Sequence, residues 1–144
     1  MSETLQELLR ELERFGQQND AAISEPPRRM LNITRDTGEF LSVLVQATNA
    51  QRVLEIGTSN GYSTLWLAQA VQRIGGHVTT VELSEYKLAM AAKNFERSGL
   101  SDVITQHPGE AGGLFERLKD ASFDLIFLDS KRSDYVQWWP NIER

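Results

Sequence analysis

One segment of the chain constrains its fold more than any other: Val53-Leu54-Glu55-Ile56-Gly57-Thr58-Ser59-Asn60-Gly61-Tyr62-Ser63. An apolar run typical of a buried strand leads into two glycines, Gly57 and Gly61, and a helical pattern follows. Because glycine has no Cβ, the backbone can turn there with positive φ and a ligand can approach it closely. The following helix presents unpaired N–H groups in its first turn. The segment therefore predicts a strand, a ligand-binding turn and a helix.

The spacing of the two glycines favours a nucleoside ligand without phosphate. G-x-x-x-G is neither the G-x-G-x-x-G of dinucleotide binders nor the G-x-x-x-x-G-K of phosphate loops. No Lys or Arg lies between Gly57 and Gln72 to meet a phosphate. S-adenosylmethionine (SAM) carries ribose and adenine but no phosphate, so it fits this turn better than NAD does. A titration with S-adenosylhomocysteine (SAH) against NAD would separate these two classes of ligand.

Glu82 is the second candidate ligand-binding residue. It ends the second predicted strand, where a carboxylate can accept hydrogen bonds from both hydroxyls of a ribose. The alternative is a charge that favours the dipole of the helix capped by Ser84. The glycines upstream favour ribose binding.

Apolar and helical patterns alternate along the rest of the chain. Predicted helices at 4–18 and about 36–49 precede strand 52–56, helix 62–74, strand 77–82, helix 84–98, strand 102–106, helix 111–119 and strand 123–128. This order predicts an α/β fold with a Rossmann-like parallel sheet and helices on both faces. We expect one domain over 1–144, with N-terminal helices in 1–50 and β-α repeats in 51–144.

Composition limits the partners. Fifteen basic and twenty acidic residues give a net charge of −5, so the chain has no overall basic field for nucleic acids or anionic membranes. It contains no cysteine, and no apolar run approaches the roughly 20 residues of a membrane span. We expect a cytoplasmic protein whose partner is a small molecule.

Four stretches carry a resemblance to a known family. They are Asp36 to Leu41, Leu54 to Gly57 with Gly61-Tyr62-Ser63, Thr80-Val81-Glu82, and Phe123 to Asp129 with Tyr135. The chain resembles the cation-dependent O-methyltransferases of the caffeoyl-CoA and catechol type, a branch of the class I SAM-dependent methyltransferases. The resemblance implies methyl transfer to a hydroxyl of a small acceptor, an aromatic one being favoured. The alternatives are a nitrogen, protein or RNA acceptor, or a non-catalytic module that binds cofactor or associates with another chain.

The resemblance also implies roles for individual residues. Glu55 and Gly57 would line the methionine end of the cofactor, and the Ser63 hydroxyl would bind its carboxylate. Gly61 would be a further cofactor-binding residue. Glu82 would hold the ribose, and Ala111 would contact the adenine side. Asp129 would touch the cofactor and bind a divalent cation, typically Mg²⁺, which would orient the acceptor hydroxyl.

The sequence departs from the family pattern after the fourth strand. Arg132 stands where the family has its lysine base, and a guanidinium does not lose its proton in a protein. Lys131, one residue earlier, is the candidate base, although Lys131 and Arg132 could equally form a solvated pair. The family's fifth strand, with its further metal ligands, has no match here, so we expect a sheet truncated after the fourth strand. Its open apolar edge favours a homodimer.

Overall fold

The computed structural model describes residues 2–22, 33–109, 114 and 122–128, which form helices packed on one parallel sheet. The helices are α1 (Glu3–Ala22), α2 (Arg35–Thr48), α3 (Tyr62–Ile74) and α4 (Glu85–Ser98). The strands are β1 (Arg52–Ile56), β2 (His77–Glu82), β3 (Ile104–Pro108) and β4 (Leu125–Leu128). They lie in the order β3-β2-β1-β4 with every pair parallel, which confirms the predicted α/β fold.

The strand order places the glycine turn, which we define as residues 57–61, at the switch point of the sheet. From β1 the chain adds β2 and then β3 on one side, whereas β4 pairs with the other side of β1. The order therefore reverses at β1, and the glycine turn follows its carboxyl end directly. Ligands of open parallel sheets bind at this kind of position.

Two strand boundaries differ from the predicted ones. Residues 101–103 form a short 3₁₀ turn, so β3 runs over 104–108 rather than 102–106. β4 begins at Leu125 rather than at residue 123, because Asp124 binds Arg52 ahead of the ladder. The Asp124 N–H donates to the Arg52 carbonyl at 2.7 Å, and the Arg52 N–H donates to the Asp124 carboxylate at 3.0 Å. The predicted helix 111–119 lies outside the described residues apart from Leu114.

The sheet is apolar on both faces. Val53 joins a large core with the leucines and aromatic residues of α1, α2 and α3. Leu54 and Ile56 point to the opposite face, where they meet Val81 and Leu114. Alternate residues of β1 therefore serve two layers, as expected for a central strand. Glu55 lies on the same side of β1 as Val53, the side that α3 covers.

The leucine stripe of α1 is used within this chain. Leu5, Leu8, Leu9 and Leu12 are buried in the core, whereas Phe15 is 38% exposed. All four leucines of this stripe therefore pack within the chain itself. A lysine at Leu9, which is fully buried, would destabilise the fold. Among the described helices, none is long and apolar enough to cross a membrane.

Candidate functional site

The glycine turn has the backbone conformation predicted for it. Gly57 and Gly61 have φ values of 103° and 91°, a region that side chains other than glycine rarely adopt. Ser59 also has positive φ, at 52°, which its sequence did not signal. The N–H groups of Gly57 and Thr58 donate to the Val81 carbonyl at 2.8 and 3.2 Å. The turn is therefore fixed to the end of β2.

Helix α4 packs closely against the second glycine. A Cβ added to Gly61 would lie 2.5 Å from Cε1 of Phe95. The Asn94 side-chain amide donates to the Asn60 carbonyl at 2.8 Å, and Asn60 is itself fully buried. Only a glycine fits at residue 61, because both the backbone conformation and the available space exclude a side chain.

Glu82 lies beside the glycine turn, at the end of β2. Its Oε1 accepts a hydrogen bond from the Ser59 N–H at 2.7 Å, and its Oε2 accepts one from the Ser84 N–H at 2.9 Å. The side chain is half-buried. A carboxylate has about four lone-pair sites, so each oxygen can still accept a ligand hydroxyl. The bond to Ser84, the N-cap of α4, shows that Glu82 also serves the helix start, as the alternative interpretation held.

A cluster of hydroxyl groups surrounds the buried carboxylate of Glu55. We call Thr58, Ser63, Thr64 and Thr80 the hydroxyl cluster. Ser63 donates to Oε2 of Glu55, while Thr64 and Thr80 donate to Oε1, Thr80 at 2.8 Å. Thr80 uses its proton on Glu55, so Thr58 donates to Thr80 across 2.6 Å. A carboxylate accepts hydrogen bonds only, which fixes the direction of all four.

The hydroxyl cluster limits what Glu55 can do. Glu55 is fully buried and Ser63 is nearly so, whereas the resemblance implies that both surround the cofactor. Glu55 holds the start of α3 against β1 and β2, and it fixes the rotamer of Ser63. The sequence predicted both residues as part of the site but gave no sign of the bond between them.

Leu83 is a candidate site residue that the sequence analysis did not single out. It follows Glu82 directly and is 72% exposed. An exposed leucine is common on protein surfaces and is weak evidence alone. Its place next to a carboxylate that can bind ribose makes it a candidate contact for a flat apolar group such as adenine. The available sequence signal was a leucine directly after the acidic residue that ends the predicted strand.

The structure does not describe three of the predicted site residues. Ala111, Asp129 and Lys131 lie outside the described residues. Within the described part of the chain, no group of three or more histidine and acidic side chains is placed to hold a metal ion. The structure thus brings together Glu55, Gly57, Gly61, Ser63 and Glu82 at the carboxyl ends of β1 and β2.

Comparisons with known proteins identify O-methyltransferases as similar to this chain. A family model described as O-methyltransferase matches residues 1–142. A catechol O-methyltransferase from Niastella koreensis is 30% identical over 142 residues, covering 90% of this chain and 64% of the relative. A catechol O-methyltransferase from Mycobacterium tuberculosis is 37% identical over 123 residues, covering 83% of this chain and 54% of the relative.

A solved structure shares the fold. The crystal structure of an O-methyltransferase from Bacillus cereus in complex with SAH superposes with a TM-score of 0.75 at 34% identity. The superposition covers 98% of this chain and 60% of the other. This chain therefore spans between 54% and 64% of the length of these three proteins.

Proposed function

Because the chain belongs to the O-methyltransferase family, we propose that it forms the cofactor-binding part of an enzyme that methylates a hydroxyl of a small acceptor, an aromatic one being favoured. When bound, SAM supplies an electrophilic methyl group. The acceptor hydroxyl would have to give its proton to a base as its oxygen takes the methyl group from the sulfonium. Holding the two reactants in line supplies much of the rate.

The observation that carries this proposal is the position of Glu82 beside the glycine turn. Its two oxygens are held by the N–H groups of Ser59 and Ser84, so the carboxylate is already oriented. We propose that it accepts the two ribose hydroxyls, that Leu83 packs on the adenine, and that Gly57 lets the ligand approach the backbone.

A titration of the chain with SAH and with NAD tests the proposed cofactor. We expect SAH to bind and NAD not to bind, because no basic residue of the glycine turn or of α3 before Arg73 meets a diphosphate. Isothermal calorimetry at matched ligand concentrations measures both, and adenosine serves as a control for the shared nucleoside. Binding of NAD without binding of SAH would contradict the proposal.

We propose that Ser63 serves the amino-acid end of the cofactor. Its single proton is donated to Glu55, so a bond from Ser63 to the cofactor's carboxylate requires the hydroxyl to turn away. A bond from the cofactor's ammonium to Ser63 Oγ requires no such change. Either contact is absent in 5′-methylthioadenosine, which has the same nucleoside but no amino acid.

Replacing Ser63 by alanine is expected to lower the affinity for SAH by about tenfold, since a hydrogen bond to a charged group is lost. The affinity for 5′-methylthioadenosine should stay unchanged. Thr64→Ala is the matched control, because Thr64 also donates to Glu55 but is fully buried. Equal losses for the two ligands would show that Ser63 acts on the fold of the site and not on the amino-acid end.

We further propose that the enzyme uses a divalent cation, Mg²⁺ being favoured, with Asp129 as a ligand and Lys131 as the base. The family resemblance supports this proposal. Since Asp129 is the one residue of this chain matched to a metal ligand, we expect Mg²⁺ to bind the chain weakly. Calorimetry with MgCl₂, with CaCl₂ as a control, measures this affinity. A tight stoichiometric Mg²⁺ site would mean that the metal ligands have been assigned to the wrong residues.

A homodimer and a cytoplasmic location stay predictions. Phe40 and Val43 lie three residues apart on α2 and are both exposed, so they offer apolar surface that a dimer could bury.

A further inference from the structure

Tyr62 connects the glycine turn to a helix far away in the sequence. It is the first residue of α3, directly after Gly61, and its side chain is 1% exposed. Its phenol donates a hydrogen bond to Oε2 of Glu13 on α1 at 2.9 Å, across 49 residues of sequence. The next residue of α3 is Ser63, which we have placed at the amino-acid end of the cofactor.

The same oxygen of Glu13 binds a second helix. Arg35, the first residue of α2, donates from Nη1 to this oxygen at 2.9 Å. The Arg35 guanidinium also lies 5.3 Å from the ring centroid of Trp66 on α3. Gly38 allows this packing, because a Cβ there would lie 2.4 Å from the Trp66 indole. One carboxylate oxygen thus joins α1, α2 and the first turn of α3.

The charges of these groups favour the arrangement at neutral pH. Burial raises the pKa of Tyr62 above its ordinary value, and the hydrogen bond to Glu13 raises it further. The phenol therefore keeps its proton and stays a donor. Arg35 is also a donor, whereas an ionised carboxylate accepts only.

We propose that Glu13 is a positioning residue for cofactor binding: through Tyr62 it fixes the first turn of α3, so that the docking of α1 and the binding of the amino-acid end of SAM favour each other. This inference rests on the proposed function. Coupling of this kind is reciprocal, so the cofactor must stabilise the docking of α1 to the same extent that docking of α1 favours the cofactor.

The predicted effect of Glu13 and Tyr62 on SAH affinity is tested by comparing four forms of the chain: wild type, Tyr62→Phe, Glu13→Gln and Glu11→Gln. Glu11→Gln is the matched control, because Glu11 also lies on α1 and pairs with Arg97 of α4 at 2.6 Å, away from Tyr62. We expect Tyr62→Phe and Glu13→Gln to lower SAH affinity by at least about fivefold. Glu11→Gln should change it by less than about twofold, since an exposed ion pair contributes little.

Two further measurements separate positioning from a general loss of structure. The affinity of Tyr62→Phe for 5′-methylthioadenosine should stay within about twofold of wild type, because this ligand lacks the amino acid that the first turn of α3 serves. Hydrogen exchange in wild type should show slower exchange of α1 amides when SAH is bound. That protection should be largely lost in Tyr62→Phe.

The outcomes are distinguishable. If wild type does not bind SAH, the proposed function fails and this inference fails with it. If wild type binds SAH but Tyr62→Phe and Glu13→Gln bind it equally well, the inference alone is overturned. It is also overturned if Glu11→Gln weakens binding as much as Glu13→Gln, or if both ligands are affected alike. If Glu13→Gln does not fold, the SAH affinity of Tyr62→Phe and the hydrogen exchange of α1 in wild type still test the inference.

Discussion

Replacing Glu82 by alanine is expected to lower the affinity of the chain for SAH by about thirtyfold, or about 2 kcal/mol. Two ribose hydroxyls would lose a charged acceptor. The N–H groups of Ser59 and Ser84 would lose the oxygens that now accept from them, at 2.7 and 2.9 Å. Calorimetric titration of wild type and variant with SAH, after circular dichroism has shown that the variant is folded, measures the effect.

Two variants serve as controls for Glu82→Ala. Glu85→Ala removes an exposed carboxylate three residues later, in the first turn of α4, and should leave SAH affinity near that of wild type. Glu82→Gln keeps one acceptor oxygen and should lie between wild type and alanine. Unchanged SAH affinity in a folded Glu82→Ala chain would remove the ribose assignment and leave Glu82 with its structural role at the start of α4.

Replacing Gly61 by alanine should lower the free energy of unfolding by about 3 kcal/mol. Forcing a residue with a Cβ into the left-handed region costs about 1–2 kcal/mol. Contact of the new methyl with Phe95, only 2.5 Å away, adds an overpacking cost of about 1–3 kcal/mol. Urea unfolding at a fixed temperature measures the difference, provided that the slope of the transition is unchanged.

Gly75→Ala separates the two costs. Gly75 also has positive φ, at 73°, but a Cβ there would meet nothing within 4 Å. It should therefore cost only the backbone part, about 1–2 kcal/mol. In a chain that already carries Phe95→Leu, Gly61→Ala should cost less free energy of unfolding than it does in wild type, because part of the overpacking is removed. Equal effects at Gly61 and Gly75 would show that contact with Phe95 is unimportant.

Local patterns in the sequence were sufficient to predict the bounds of the elements at the centre of the fold. The predicted strand 52–56, helix 62–74 and strand 77–82 agree with β1, α3 and β2 of the structure. Each has a strong local signal, since apolar runs are bounded by Gly57 or by the pair Gly75 and Gly76. The strands at the sheet edges were less well placed, because pairing with β2 sets the start of β3 and the contacts of Asp124 with Arg52 set the start of β4.

The features of the candidate site that depend on local backbone conformation could be predicted from the sequence. Gly57 and Gly61 have the positive φ that their spacing predicted, and Glu82 ends β2 as expected. Contacts between distant residues could not be predicted from local pattern. The bond from Tyr62 to Glu13 spans 49 residues, and the bond from Thr80 to Glu55 spans 25. The residues that flank Glu13 and Glu55 in the sequence do not indicate which side chains these carboxylates bind.

The parallel order of the strands also has a consequence for how the chain folds. β1 meets β2 after a separation of about 25 residues, whereas it meets β4 after about 72. Closing the longer loop costs roughly 1 kcal/mol more, before any contact of β4 stabilises the chain. The unit of β1, α3 and β2 is therefore expected to form early and to act as the folding nucleus. Substitutions in β4 should mainly speed unfolding, whereas those in β1 should slow folding.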